Sequence, residues 1–120
     1  MYIGKLAKLS GATPKAIRLY ESIGLIPTPA RLGRYRIYTN EDVSLVHMIR
    51  RAQAVGFSLA DLKDLANAKS STGKLSLEIA NRMIADKREK LRKHIDDTLK
   101  QDQQLLELHE ELNRTYGQVF

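Results

Sequence analysis

The sequence predicts a mainly α fold: a winged helix-turn-helix head followed by a long C-terminal helix that pairs with a copy of itself. Three observations carry this expectation. Residues 77–112 contain no Pro or Gly and hold an apolar stripe at helical spacing. Near the N-terminus, two short amphipathic segments flank a tight, Gly-containing connection. The charge is also unevenly placed. Residues 1–68 hold ten Lys or Arg against five Asp or Glu, a balance of +5, and residues 69–120 hold ten against nine, a balance of +1.

The first segment, Ile3 to Leu9, offers Ile3, Leu6, Ala7 and Leu9 as an apolar face, and Ser10 and Gly11 end it. Thr13 is placed as an N-cap, with Pro14 at the first helical position, where a missing N–H costs nothing. The second helix runs from about Pro14 to Ser22, turning Ala16, Ile17 and Tyr20 inward and Lys15 and Arg18 outward. In a helix-turn-helix the N-terminal residues of this second helix lie nearest the bases of the major groove. Lys15 and Arg18, three apart, share a face.

From Leu25 the pattern changes. Pro27 and Pro29 argue against helix, and Tyr35, Ile37 and Thr39 alternate with Arg34, Arg36 and Tyr38 at the period of a strand. With Leu25–Ile26 as the opposing strand, this predicts a wing whose connection spans about Pro27 to Gly33. Arginines on such an arm suit phosphate oxygens. Asn40 begins a third helix, with Glu41 and Asp42 in its first turn and Val43, Val46 and Ile49 inside; Leu45 and Met48 are expected to be buried too. Ser58 and Asp61 approximate a capping box for a fourth helix, about Leu59 to Ala68, which buries Leu59, Leu62 and Leu65.

Residues 69–76, rich in Ser, Thr and Gly, read as a hinge between a head at 1–68 and the long helix at 77–112, with 113–120 as a short tail. Leu77, Ile84, Leu91, Leu105 and Leu112 fall on one seven-residue register, and Thr98 is its polar member. Ile95, Leu99, Leu106 and Leu108 widen the stripe. Such a helix is roughly 54 Å long at about 1.5 Å per residue. A seam of that length needs a partner along it, and with no breaker to fold it back the partner is a second copy. The candidate dimerisation residues are Leu77, Ile84, Leu91, Ile95, Leu99, Leu105, Leu106 and Leu112.

The absence of Cys removes disulfides, thiolate-held zinc, iron–sulfur clusters and thiol redox sensing. His47, His94 and His109 lack ligand spacing, so neither a metal nor a cofactor is expected. No catalytic grouping of Ser, His and acid appears, which argues against an enzyme. No run of eighteen apolar residues and no basic-then-apolar leader is present, so a cytoplasmic protein without membrane contact is expected. A basic head on a nearly neutral arm points to a polyanion for the first and self-association for the second. The competing reading is a non-enzymatic basic adaptor whose long helix pairs with a different protein.

The order of elements, with Ile3-Gly4-Lys5-Leu6-Ala7, Gly11-Ala12-Thr13-Pro14-Lys15-Ala16-Ile17-Arg18-Leu19-Tyr20-Glu21, Gly24-Leu25-Ile26, Tyr35-Arg36-Ile37-Tyr38 and Gly56-Phe57-Ser58-Leu59, resembles the MerR family of bacterial transcription regulators. The resemblance covers about residues 2–68 in motif; the long helix matches in place and kind. It implies homodimers joined by an antiparallel coiled coil of C-terminal helices. It also implies near-palindromic double-stranded promoter DNA with a long spacer that is bent and untwisted, and RNA polymerase as a partner. Carried over residue by residue, it places Thr13, Lys15, Arg18, Tyr20, Arg34, Tyr35 and Arg36 at DNA, with Tyr20 beside the backbone. Two positions depart from the family pattern. Leu19 replaces the first aromatic of a Tyr pair, and Arg34 stands where Gly commonly precedes Tyr35, which implies an altered wing turn or an added phosphate contact. The family's metal and redox sensors place Cys at the hinge, at the start of the long helix and in a C-terminal loop. This chain has none, and no room is expected for a large ligand domain after Leu112.

Overall fold

The structure is a computed structural model that describes residues 1–68 and 73–118. Its elements are α1 (Ile3–Ser10), α2 (Pro14–Ser22), β1 (Ala30–Leu32), β2 (Tyr35–Ile37), α3 (Asn40–Ala54), α4 (Leu59–Asn67) and α5 (Leu77–Tyr116). The fold is mainly helical, with a wing-like hairpin and a long C-terminal helix. It forms two compact units, Met1–Ala80 and Asn81–Phe120.

In the first unit Leu6, Ile17, Tyr20, Leu25, Ile26, Tyr38, Val46, Ile49, Leu62 and Ala66 make one core. Leu6, Ile17 and Val46, one from each of α1, α2 and α3, are fully enclosed. The turn between α1 and α2 is fixed at both ends. Gly11 takes a left-handed φ of +77° and its N–H donates to the Ala7 carbonyl at 2.9 Å, a helix stop that favours glycine. The Thr13 hydroxyl accepts from the Ala16 N–H at 3.1 Å, satisfying one of the open donors of α2. Truncating Ile17 to Ala should therefore cost about 2–5 kcal/mol of stability, read as a shift of the urea midpoint with unchanged slope.

Several sequence expectations are corrected. The strand opposite Tyr35–Ile37 is Ala30–Leu32, with Ala30 opposite Ile37 and Leu32 opposite Tyr35. Leu25 and Ile26 are core residues, each 2% exposed, because two large apolar side chains after the Gly24 turn gain more from burial than an edge strand would offer. The hairpin connection is therefore two residues, Gly33 and Arg34. Gly33 carries the positive φ, +63°, and Arg34 does not, which is the residue order of a type II′ turn. Arg34 thus occupies the position before Tyr35 without backbone strain.

The helix α3 begins at Asn40 as expected, and Thr39 caps it: its hydroxyl accepts from Asp42 N–H and Asp42 accepts from Thr39 N–H, a reciprocal capping box. Ser58 and Asp61 form the second such box, on α4. Leu9, Met48 and Leu59 are exposed and Leu45 is half-buried, while Ser10 and Ala66 are buried. In α1, α3 and α4 the buried stripe is thus narrower by one residue than the sequence pattern predicts.

The helix α5 spans 40 residues, four beyond Leu112, and contains no buried residue. Leu77, Ile84, Leu91, Ile95, Leu99, Leu105, Leu106, Leu108 and Leu112 are all exposed, as is Tyr116, one turn further along the same stripe. Thr98 bonds back to the His94 carbonyl at 2.7 Å, so its hydroxyl is satisfied within the helix. Residues 69–72 of the expected hinge and 119–120 of the expected tail lie outside the described residues.

Candidate nucleic-acid interface

The recognition surface begins with how α2 sits. Ile17 and Tyr20 anchor one face in the core, which leaves Lys15, Arg18 and Leu19 on the opposite, exposed face. Tyr20 belongs wholly to the core: its ring is 4% exposed and its hydroxyl donates to Gln53 Oε1 at 2.7 Å. That corrects its expected place beside a DNA backbone. Burial raises the Tyr20 phenol above its ordinary pKa, partly countered by Arg50, so the hydroxyl stays a donor.

The wing is tied to α2 by one carboxylate. Glu21 Oε1 accepts from Arg36 Nε at 3.2 Å, and Glu21 Oε2 accepts from the Tyr38 hydroxyl at 3.2 Å. Tyr38 is itself 2% exposed. Its phenol is pushed above the usual value first by burial and then by the Glu21 charge, which keeps the proton on the tyrosine oxygen. On the other edge, the Tyr38 N–H donates to the Met1 carbonyl at 2.7 Å, and the Met1 nitrogen donates to the Tyr38 carbonyl at 2.8 Å. This pairing sets Tyr2 next to Tyr35, ring centres 5.7 Å apart.

These ties bring residues far apart in sequence to one place. Arg18 of α2, Arg34, Tyr35 and Arg36 of the wing, and Tyr2 and Ile3 of the N-terminal segment line a concavity of about 200 Å³. Four of the seven residues expected at DNA meet there. Thr13 and Lys15 lie on the exposed N-terminal end of α2 instead, with the Thr13 oxygen engaged as a cap. Arg31 and Arg36 stand directly opposite each other across the hairpin. Like charges so placed are unfavourable, and a polyanion reverses that sign. Among the described residues the side chains of Lys15, Arg18 and Arg34 make no hydrogen bond or ion pair, so their donors remain open to a ligand.

Sequence reasoning missed Tyr2 and Ile3 as lining residues, because only the backbone pairing with Tyr38 brings them there. It also gave Glu21 no role. Arg50, near the C-terminal end of α3, reaches back to the Ser10 carbonyl at 3.5 Å and closes the C-terminus of α1. Among the described residues no cluster of three His, Asp or Glu side chains is placed to hold a metal, and no helix is long and apolar enough to cross a membrane.

The profile of the family described as MerR HTH family regulatory protein matches residues 1–69, and that described as MerR, DNA binding, matches residues 43–108. The chain is 34% identical over 109 residues to the HTH-type transcriptional regulator CueR of Escherichia coli O157:H7, covering 90% of this chain and 80% of that protein. Among solved structures it is similar to the transcription regulator PbrR691 from Ralstonia metallidurans CH34 in complex with lead(II). There the TM-score is 0.62 and the identity 26%, over 92% of this chain and 86% of the other. The fold is also that of HiNmlR, a regulator lacking the sensor domain and bound to promoter DNA, with TM-score 0.60 and 22% identity over 99% and 89% of the two chains.

Proposed function

This chain belongs to the MerR family of DNA-binding transcription regulators, and from that premise we propose that it grips a near-palindromic promoter site as a homodimer whose arms form an antiparallel coiled coil. It is a regulator and not an enzyme. In this reading residues 1–68 are the DNA-binding head, 69–76 the hinge, and the long helix the dimerisation arm. Lys15 and Arg18 face the major groove, with the Thr13 cap at a phosphate. Arg34, Tyr35 and Arg36 meet the flanking backbone.

The observation that carries the proposal is the convergence of Arg18 with the wing arginines on one concave surface. A guanidinium from the recognition helix and two from the wing can grip the groove edge and the adjacent phosphates together. With two heads held at a fixed separation, DNA must deform to meet both, at a cost of a few kcal/mol that phosphate contacts offset. Distortion of the promoter spacer, and engagement of RNA polymerase on the reshaped duplex, follow within this reading.

Charge along α5 supports the antiparallel arrangement. Residues 77–95 carry six Lys or Arg and three Asp or Glu, and residues 96–116 carry two and six. That distribution opposes the helix's own dipole, which favours acids at the N-terminal end and bases at the C-terminal end. An antiparallel copy resolves the conflict by laying each basic half along an acidic half. The relatives named above include a lead(II)-bound regulator, but the 120 residues here offer no thiolate to a soft metal.

Footprinting on the promoter upstream of its own gene should show two protected half-sites related by a dyad. Affinity should fall steeply with salt, by about 0.9 decade per decade of salt for each phosphate neutralised. Protection of a single isolated half-site, or a nearly flat salt dependence, would overturn the proposal.

A further inference from the structure

Glu21 is the sole carboxylate in the first 40 residues, against seven Lys and Arg. A lone acid on a surface that receives polyanions is electrostatically unfavourable, because it repels phosphate and neutralises part of Arg36. Its two oxygens are both engaged, one by Arg36 and one by Tyr38, and its side chain is only 12% exposed. Both partners sit on or just after β2, whereas Glu21 sits in the last turn of α2. One residue therefore clips the wing to the recognition helix, and it lies one turn from Arg18.

We infer that Glu21 is a positioning residue for DNA binding: its carboxylate holds the wing at the spacing from α2 at which Arg18, Arg34 and Arg36 engage one duplex together. This rests on the DNA-binding reading above. The inference sets two effects of opposite sign against each other. Removing the negative charge, by itself, strengthens attraction to DNA. A glutamine would keep both ties, its oxygen accepting from Arg36 and its NH2 donating to the Tyr38 hydroxyl, whereas removing the carboxylate altogether, as Ala, releases Arg36 and Tyr38 together. The wing then loses its fixed angle and its arginines lose phosphate contacts. A hairpin of two three-residue strands has little stability of its own, so release outweighs the gain in net charge.

The test is Glu21→Ala in the full dimeric protein, measured by fluorescence anisotropy on a labelled promoter duplex across a salt series, beside Arg18→Ala and Arg36→Ala. Glu21→Ala should weaken specific binding about tenfold and lower the salt slope by about one unit per half-site, the loss of one phosphate contact per head. Arg36→Ala should match it, and the double variant should be no worse than either single one, because both break the same tie. Restoring the carboxylate as Glu21→Asp in place of Ala should recover part of the slope. Unchanged or tighter binding by Glu21→Ala, with an unchanged slope, overturns the inference. So does a loss of affinity matched by a lowered melting temperature at constant slope, which marks general destabilisation. If Arg18→Ala also binds normally, it is the DNA-binding reading itself that fails.

Discussion

Replacing Arg18 by Ala should weaken binding to the preferred promoter sequence by about 1–3 kcal/mol per head while leaving the dimer mass and the melting temperature unchanged. The separation of effects follows from where the side chain lies. Arg18 is exposed and makes no hydrogen bond or ion pair among the described residues, and Ala is the better helix former, so the fold loses nothing. What is lost is the one guanidinium that α2 contributes to the concavity shared with the wing. A bidentate fork is what guanine edges and phosphates take. Arg18→Lys should therefore restore little of the specific affinity although it restores the charge. Lys15→Ala is expected to act differently, reducing affinity for all sequences together. Quantitative gel shifts on specific and scrambled duplexes read both effects. Equal loss on the two duplexes for Arg18→Ala would move this residue from base recognition to the backbone.

Much of this surface was legible in the sequence because local rules act on local residues. Thr13-Pro14 starts a helix whatever surrounds it, and once Ile17 and Tyr20 turn inward the opposite face is fixed at Lys15 and Arg18. The wing was harder. Three-residue strands carry too few alternations to set a register, and Leu25–Ile26 looks as strand-like as Ala30–Leu32 until the core claims it. Gly33 was the available signal: glycine followed by one residue and then Tyr35 fits a two-residue II′ turn, and that places the opposing strand immediately before it. Tyr20 lies in the core, where its own helical phase points it, and not at the surface beside DNA that the family resemblance implies. The roles of Glu21, Tyr2 and Met1 depend on approaches across 15 to 37 residues, which no local pattern records.

Placing carboxylates in the arm's stripe should have the largest effect of all. With Leu91→Glu and Leu105→Glu combined, a pair of chains would carry four acids along its seam. Each ionised group costs several kcal/mol when enclosed without a partner, against a total of only about 8–12 kcal/mol for a micromolar to nanomolar dimer. The protein should sediment as a monomer at micromolar concentration. Promoter affinity should fall by about 10²–10⁴, the advantage that joining two heads confers. Lys93→Glu, two residues from Leu91 and so on the other side of the helix, provides the control: it alters charge by the same sign and should leave the dimer intact. The chain's lack of Cys makes orientation accessible in the same protein. Leu77→Cys alone should form no disulfide-linked dimer if the arms run antiparallel, since the two sulfurs then stand at opposite ends of a seam roughly 54 Å long. Chains carrying both Leu77→Cys and Leu112→Cys should cross-link readily. Efficient cross-linking of the single Leu77→Cys variant would mean parallel arms, and the basic and acidic halves of α5 would then lie like against like.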